Sequence, residues 1–260
     1  TTLRHMPPAA DLICGAVGTG KTTTAISLIC RAASLSPPAR FFIVDKDGEY
    51  SSLAGRLGAE RVLKVPWMRF FQPSDIPWED YITEFGWQKT WWNAKILVKA
   101  LKMLYASGAA VTKESLRRTL EYVSAESLGF GKKADEFENY RQQALYSVNS
   151  SKLIPDRDVQ PLDPIELLKG RRIIIMDLSQ GKDTWAQKHI VVAQVIRRIF
   201  GEALENRGFG CIVVFEEAMY YAPQRGIFEI GTKESRAKLL GVVKEIATNG
   251  GRNGVGLWIV

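Results

Sequence analysis

Near the start of the chain, eight consecutive residues have the types and spacing of a phosphate-binding loop. Residues 15–22 read GAVGTGKT and match the pattern G-x-x-x-x-G-K-[ST] at every fixed position. Glycines let backbone N–H groups turn towards phosphate oxygens, and the amino end of the following helix adds partial positive charge. The pattern predicts a nucleotide site formed by Gly15, Gly18, Thr19, Gly20, Lys21, Thr22 and Thr23.

Two side chains of this loop suit the charged part of a nucleoside triphosphate. Lys21 is expected to reach the β- and γ-phosphates, and the Thr22 hydroxyl is expected to ligate Mg²⁺. The loop follows an apolar strand predicted at 10–14 and opens a helix predicted at 22–33. This context favours a phosphate-binding loop over the alternative, a glycine-rich turn with a chance lysine.

Two adjacent carboxylates, Glu216 and Glu217, follow an apolar strand predicted at 211–215. In phosphate-loop enzymes one acid at such a strand end belongs to the Mg²⁺ shell, and a second orients or deprotonates the attacking water. We assign Glu216 to Mg²⁺ and Glu217 to the water; the alternative is a pair of solvated acids. A glutamate placed to activate water favours an enzyme that hydrolyses ATP over a small-molecule kinase.

Further charged side chains are weaker candidates. Asp45 follows the strand predicted at 41–44, so it can join the Mg²⁺ shell, position a water or simply build an Asp-Gly turn. Arg252 lies in a glycine-rich loop and can contact a γ-phosphate in its own or a neighbouring subunit, or be a surface arginine. Arg225 and Arg236 are candidates for binding DNA or phosphate.

The elements that position these side chains are those of an α/β protein. The strand at 10–14, the helix at 22–33 and the strand at 41–44 form a βαβ unit, which implies a parallel sheet. The alternation resumes with a strand at 173–176 and a helix at 186–205, whose apolar residues on several sides predict burial.

The middle of the chain has helical patterns and six prolines near its ends. We therefore predict a core formed by 1–64 and 171–260, interrupted by a helical insertion at 65–170. Because the chain ends inside a strand predicted from 256, it is expected to continue beyond residue 260.

Charge and composition limit the possible functions. The 260 residues carry 35 Lys and Arg against 28 Asp and Glu, and the resulting net charge of +7 suits an anionic partner. Basic and acidic residues balance within 65–170, so the excess lies in the core, and the insertion does not resemble a basic DNA-binding module. Five tryptophans at 67–92 can stack on single-stranded nucleic acid, although packing between helices is the favoured interpretation.

Other features indicate where the protein works. Three cysteines without a CxxC pair argue against a disulfide framework or a zinc site and favour a reducing compartment. No apolar run is long enough to span a membrane, and residues 1–5 lack the apolar stretch of a signal peptide. A cytoplasmic protein is expected, either free or peripheral to a membrane complex.

Taken in order, the motifs resemble those of the HerA branch of the HerA–FtsK ATPases. The resemblance rests on the loop at 15–22, IVDKDGEY at 43–50, IMDLS at 175–179, FEEA at 215–218 and GRNGVGL at 251–257. It implies a RecA-like P-loop NTPase core of the ASCE class, with ATP and Mg²⁺ as cofactors. It also implies a hexameric ring that moves double-stranded DNA, with Arg252 acting across the subunit interface.

The chain departs from the family pattern in ways that leave its pathway open. Met219 replaces the family's histidine, and no counterpart of its amino-terminal β-barrel precedes the loop. The family's glutamine after the last strand would lie beyond residue 260. A nuclease-partnered motor and an ATPase that powers DNA passage through a membrane channel both fit, whereas a switch without turnover has little use for the Glu216–Glu217 pair.

Overall fold

A computed structural model describes residues 10–260 except 17, 36–37, 72, 74–75, 132–133, 159, 181–184, 218–219 and 221–229. The chain divides into two compact units. The core unit consists of Thr1–Phe70 with Leu162–Val260, and the helical unit consists of Phe71–Pro161.

A six-stranded sheet with the order β1-β6-β5-β2-β4-β3 organises the described part of the core unit. Every neighbouring pair of strands is parallel. Its strands are β1 (Ala10–Leu12), β2 (Phe41–Asp45), β3 (Val62–Pro66), β4 (Ile173–Asp177), β5 (Cys211–Phe215) and β6 (Val255–Ile259). The central strands β2 and β4 are runs of apolar residues buried along their whole length, as expected for strands covered on both faces.

Helices cover the sheet and build the helical unit. The core unit begins with α1 (Lys21–Ala33) and α2 (Ser52–Leu57); the helical unit has α3 (Trp78–Glu84), α4 (Trp92–Ser107), α5 (Lys113–Tyr122) and α6 (Ala134–Ser150); the core unit resumes with α7 (Pro164–Arg171), α8 (Trp185–Glu205) and α9 (Lys233–Asn249). Helix α8 is buried along much of its length, which confirms the prediction from its apolar pattern. No helix within the described ranges is both long and apolar enough to cross a membrane.

The helical unit lies inside the 65–170 span expected from sequence. Strand β3 and a 3₁₀ helix at Trp67–Phe70 belong to the core unit, and so does α7, which packs on β4 and α8. The sequence pattern of β3 is weak because the strand lies at the edge of the sheet, with the exposed Lys64 at its centre.

Within the helical unit, aromatic side chains pack on their neighbours. Trp92 contacts Phe130 edge-on at 4.8 Å between ring centroids, and Trp87 lies 4.9 Å from Phe85. A buried carboxylate, Glu84, accepts hydrogen bonds from the Ser151 hydroxyl and the Lys152 backbone. The ring contacts of Trp87 and Trp92 favour the packing interpretation of the tryptophans, although Trp91 is 46% exposed.

Candidate active site

The phosphate-binding loop joins β1 to α1, as its sequence context predicts. Gly18 and Gly20 have φ angles of 80° and 83°, in the left-handed region that glycine adopts without strain. Gly20 directly precedes α1, so the first N–H groups of that helix, including those of Thr22 and Thr23, have no partner inside the helix. This geometry leaves backbone donors at the loop for phosphate oxygens.

Side chains of the loop are held by its own backbone. The Lys21 ammonium donates to the carbonyls of Gly15 at 3.1 Å and Ala16 at 3.3 Å, and the Thr19 hydroxyl donates to Ala16 at 2.8 Å. The lysine hydrogen bonds are solvent-exposed. They can therefore be exchanged for phosphate oxygens at little cost.

Glu216 meets the loop directly. Its Oε1 accepts a hydrogen bond from the Thr22 hydroxyl at 3.3 Å, which brings together residues 194 positions apart in sequence. The side chain is 3% exposed, and Oε2 is buried with no hydrogen-bond partner among the described residues. Burial, together with the nearby Asp45 and Glu49 carboxyl groups, raises the pKa of Glu216 to about 9.

A divalent cation fits this environment. It would satisfy the unpartnered Glu216 oxygen and offset the negative charge that burial disfavours. The Tyr50 hydroxyl, also buried without a partner within the described ranges, is a donor in the same electrostatic neighbourhood. The described residues contain no cluster of three His, Cys, Asp or Glu side chains placed to hold a metal. Mg²⁺ needs no such cluster, because nucleotide phosphates and waters complete its coordination.

Asp45 lies close by but is used differently. Its Oδ1 accepts backbone N–H groups of Gly48 at 2.8 Å and Glu49 at 3.2 Å, and its Oδ2 accepts that of Tyr50 at 3.2 Å. This geometry matches the turn that the sequence analysis offered as an alternative to a magnesium ligand. In this structure Asp45 shapes the turn, and its carboxyl group lies beside Glu216.

Glu217 has an unusual backbone. Its φ of 55° is in the left-handed region, which non-glycine residues seldom adopt outside constrained sites. The conformation is fixed by two hydrogen bonds: the Glu217 N–H donates to Val260 at 3.0 Å, and its carbonyl accepts from Tyr220 at 3.0 Å. We call the described residues Glu216, Glu217 and Tyr220 together the acid turn.

The arginine candidates occupy different places. Arg252 belongs to a 3₁₀ helix before β6, at the amino edge of the sheet, whereas the phosphate loop follows β1 at the carboxyl edge. A five-residue strand separates these edges, roughly 16 Å. This placement puts Arg252 at the edge of the sheet opposite the phosphate loop of its own subunit. Arg236 donates to the carbonyls of Ile230 and Gly231, and Arg225 lies outside the described residues.

A second polar cluster lies at the end of β4. Its residues at 175–179 entered the sequence analysis only as part of the family resemblance. Asp177 accepts hydrogen bonds from the Ser179 hydroxyl at 2.6 Å and pairs with Lys64 at 3.2 Å. Burial opposes its ionisation, but these donors outweigh burial and hold the pKa of Asp177 below its usual value. Lys188 donates to the Leu178 carbonyl at 2.6 Å, and burial lowers the pKa of Lys188.

The fold and the site together define a RecA-like P-loop NTPase. Strand β6 lies between the loop strand β1 and the acid strand β5, and the loop and the acids meet at the carboxyl edge of a parallel sheet. The family model described as "Helicase HerA, central domain" matches residues 12–199, so the chain belongs to the HerA central-domain family. It is accordingly a P-loop ATPase of the HerA type.

Solved structures with a similar fold include VirB4 and the conjugative coupling protein TrwB. VirB4 of Thermoanaerobacter pseudethanolicus has a TM-score of 0.64 at 13% identity, covering 96% of this chain and 69% of that chain. The unbound bacterial conjugative coupling protein TrwB has a TM-score of 0.59 at 19% identity, with coverages of 98% and 62%. TrwB in complex with the non-hydrolysable GTP analogue GDPNP has a TM-score of 0.57 at 18% identity, with coverages of 97% and 63%.

These likenesses establish the fold. The chain spans less than two thirds of the TrwB structures and about 69% of VirB4. Among proteins with curated functions, none matches this sequence at a significant level.

Proposed function

We propose that this chain is the ATP-hydrolysing core of a ring motor that translocates double-stranded DNA. The observation that carries the proposal is the contact between Thr22 of the phosphate loop and Glu216 of the acid turn, with Glu217 adjacent. Membership of the HerA central-domain family supports coupling of this chemistry to DNA.

The residues divide the work of hydrolysis. Lys21 and the N–H groups at the start of α1 bind and neutralise the phosphates, while Thr22 and Glu216 hold Mg²⁺. When bound, Mg²⁺ supplies charge neutralisation at the phosphate oxygens. Glu217 orients the attacking water and accepts its proton, from a backbone conformation fixed at both its N–H and its carbonyl. Asp45 keeps the neighbouring turn in place.

Completion of the site requires a second copy of the chain. Arg252 lies at the opposite edge of the sheet from its own phosphate loop, so its proposed role is to stabilise charge on a γ-phosphate bound by a neighbouring subunit. A head-to-tail interface of this kind forms a ring when the rotation between successive subunits closes. We propose a homo-hexamer, the assembly that the family resemblance implies.

Double-stranded DNA is the proposed substrate of the ring. The net charge of +7 favours phosphate contacts in a pore, which bind without sequence preference and weaken steeply as salt is added. A nuclease or a membrane DNA-transfer channel is the proposed further partner, with the motor in the cytoplasm and, in the second case, at the membrane surface.

Displacement of a third strand from a DNA triplex tests movement along the duplex. The wild-type protein is expected to release the labelled third strand with ATP, and Lys21→Ala is expected to release none. Release that needs no hydrolysable nucleotide would contradict translocation. Hydrolysis by a confirmed ring that is indifferent to DNA would favour the membrane-channel ATPase instead.

A further inference from the structure

The acid turn is anchored to α8 by two side chains one helical turn apart. The Tyr220 ring stacks on Trp185, with centroids 5.1 Å apart and planes inclined by 28°. The Tyr220 carbonyl lies 2.8 Å from Nε2 of His189, whose side chain is completely buried. Trp185 and His189 therefore hold the ring and the backbone of the same residue.

The hydrogen bond to Tyr220 determines the state of the histidine. A carbonyl oxygen only accepts, so Nε2 of His189 carries the proton and donates. Burial lowers the pKa of His189 to about 4, opposed in part by this hydrogen bond, so the ring is neutral at physiological pH. In the neutral ring Nδ1 is then an acceptor.

The second ring nitrogen reaches the start of α9. Nδ1 of His189 lies 3.3 Å from the Ser235 hydroxyl, and Ser235 is fully buried. Ser235 forms a capping box with Thr232, in which each side chain binds the other's backbone N–H. One imidazole thus links the acid turn to the capping box of α9.

The geometry of α9 extends this link across the sheet. Its 17 residues run from the carboxyl edge, where His189 lies, and span roughly 26 Å. The helix ends at Asn249 and continues directly into the 3₁₀ helix that carries Arg252. The acid turn and this 3₁₀ helix at Gly250–Asn253, which we call the arginine loop, are therefore attached to the two ends of one rigid element.

We propose that His189 is a positioning residue: its Nε2 fixes the Tyr220 carbonyl and so the backbone of Glu217, and its Nδ1 ties that turn to α9. The Tyr220 N–H in turn donates to the Glu217 carbonyl, so displacement of Tyr220 disturbs the carboxylate proposed to orient the water. The inference rests on the proposed role of Glu217, but the hydrogen bonds that it concerns exist without nucleotide.

Two substitutions separate the hydrogen bond from the packing of the ring. In His189→Gln the amide nitrogen takes the place of Nε2 and still donates to Tyr220, whereas in His189→Asn it takes the place of Nδ1 and does not. Val192→Ala, which removes two methyl groups from another fully buried position of α8, controls for loss of packing. Thermal unfolding of all three variants establishes that each is folded.

Amide hydrogen exchange in the nucleotide-free protein gives a readout independent of activity. His189→Asn is expected to accelerate exchange at the amides of Tyr220 and Ser235, while His189→Gln protects Tyr220 as the wild type does. Equal exchange at Tyr220 in the wild type, His189→Asn and Val192→Ala would overturn the inference, whatever the protein hydrolyses.

Hydrolysis then tests the consequence for Glu217. His189→Asn is expected to lower kcat by about 10- to 100-fold, the effect of a small misplacement of a reacting group, with nucleotide affinity unchanged. His189→Gln should stay close to wild type. If Glu217→Gln abolishes hydrolysis and His189→Asn does not slow it, the inference about His189 fails while the proposed role of Glu217 stands. If Glu217→Gln hydrolyses normally, the proposed role of Glu217 fails.

Discussion

Two adjacent glutamates in this site have different environments and therefore different chemistry. Glu216 is buried against Thr22, where burial and neighbouring carboxyl groups favour its neutral form until a cation arrives. Glu217 is partly exposed, and its left-handed backbone conformation is held by hydrogen bonds to Val260 and Tyr220. Such a separation of environments is how neighbouring acids acquire separate roles.

Replacing Glu217 by glutamine tests this division at the level of one residue. Glu217→Gln is expected to lower kcat by at least about 100-fold, because the amide cannot accept a proton from water. Affinity for a fluorescent non-hydrolysable ATP analogue should be unchanged, since Lys21 and the loop N–H groups still bind the phosphates. Glu245→Gln, on the exposed side of α9, is the matched control. A loss of affinity equal to the loss of turnover would contradict the assignment.

His189 makes a prediction about pH and stability. Its pKa is about 4 in the folded protein and near 6.5 when unfolded, so between these values the unfolded chain binds more protons. The stability contribution of the neutral ring is present above pH 6.5 and is lost as the pH falls towards 4, by about 3 kcal/mol in total.

Urea unfolding across this pH range measures the effect. The free energy of unfolding of the wild type should fall more steeply with decreasing pH than that of His189→Gln, which lacks the imidazole at position 189 and otherwise has the same titrating groups. Because the chain has two histidines, NMR titration can follow the His189 ring directly. A ring that titrates near pH 6.5 in the folded protein would contradict the burial argument.

At the scale of elements, α9 connects the acid turn to the arginine loop. Gly241, inside the helix, and Gly250, which follows it, differ in their surroundings. A Cβ at Gly241 would have no heavy atom within 4 Å, whereas a Cβ at Gly250, just after the helix, would lie 2.6 Å from the Val255 carbonyl oxygen. Gly241→Ala is expected to raise the free energy of unfolding by about 0.5–1 kcal/mol through helix propensity.

Gly250→Ala is expected to have the opposite effect. Its Cβ would clash with the Val255 carbonyl, and this backbone cannot move without shifting β6. It is expected to lower the free energy of unfolding, and both variants are compared with the wild type by urea denaturation. Stabilisation by Gly250→Ala would show that the junction between α9 and β6 differs from the geometry described.

The same elements show what the sequence could predict. Helix α1, strands β2, β4 and β5 and helix α8 come from strong local patterns, and they appear within one or two residues of the expected bounds. Strand β3 has no such pattern, because Lys64 interrupts the apolar residues of this edge strand. Helix α9 has buried residues at helical spacing, Leu239, Val242, Val243 and Ile246, which would have indicated it.

The candidate site likewise has a part that the sequence predicts and a part that it does not. The phosphate loop and the acid pair follow from motifs with fixed spacing, and these are the residues that the structure brings together. The link from His189 to Tyr220 joins residues 31 positions apart and depends on how α8 packs against the acid turn. The only local signal was a histidine within a largely apolar helix, which is also typical of an ordinary buried histidine.

At the scale of the whole molecule, the placement of Arg252 predicts complementation between subunits. Arg252→Ala and Glu217→Gln should each be inactive alone, because each lacks one half of every composite site. In a ring mixed from equal amounts, about a quarter of the interfaces pair an intact Glu217 with an intact Arg252. Recovery of hydrolysis to a comparable fraction of wild type is expected. Full activity of Arg252→Ala alone would contradict the shared site.

Steady-state ATP hydrolysis with and without linear double-stranded DNA, on a sample of known mass in solution, shows whether this chain is the core of a DNA motor. We predict hydrolysis by the assembled ring, stimulation by DNA that weakens with added salt, and complete loss in Lys21→Ala. Hydrolysis by an assembled ring that DNA leaves unchanged, or that persists in Lys21→Ala, would contradict the account of this chain as the core of a DNA motor.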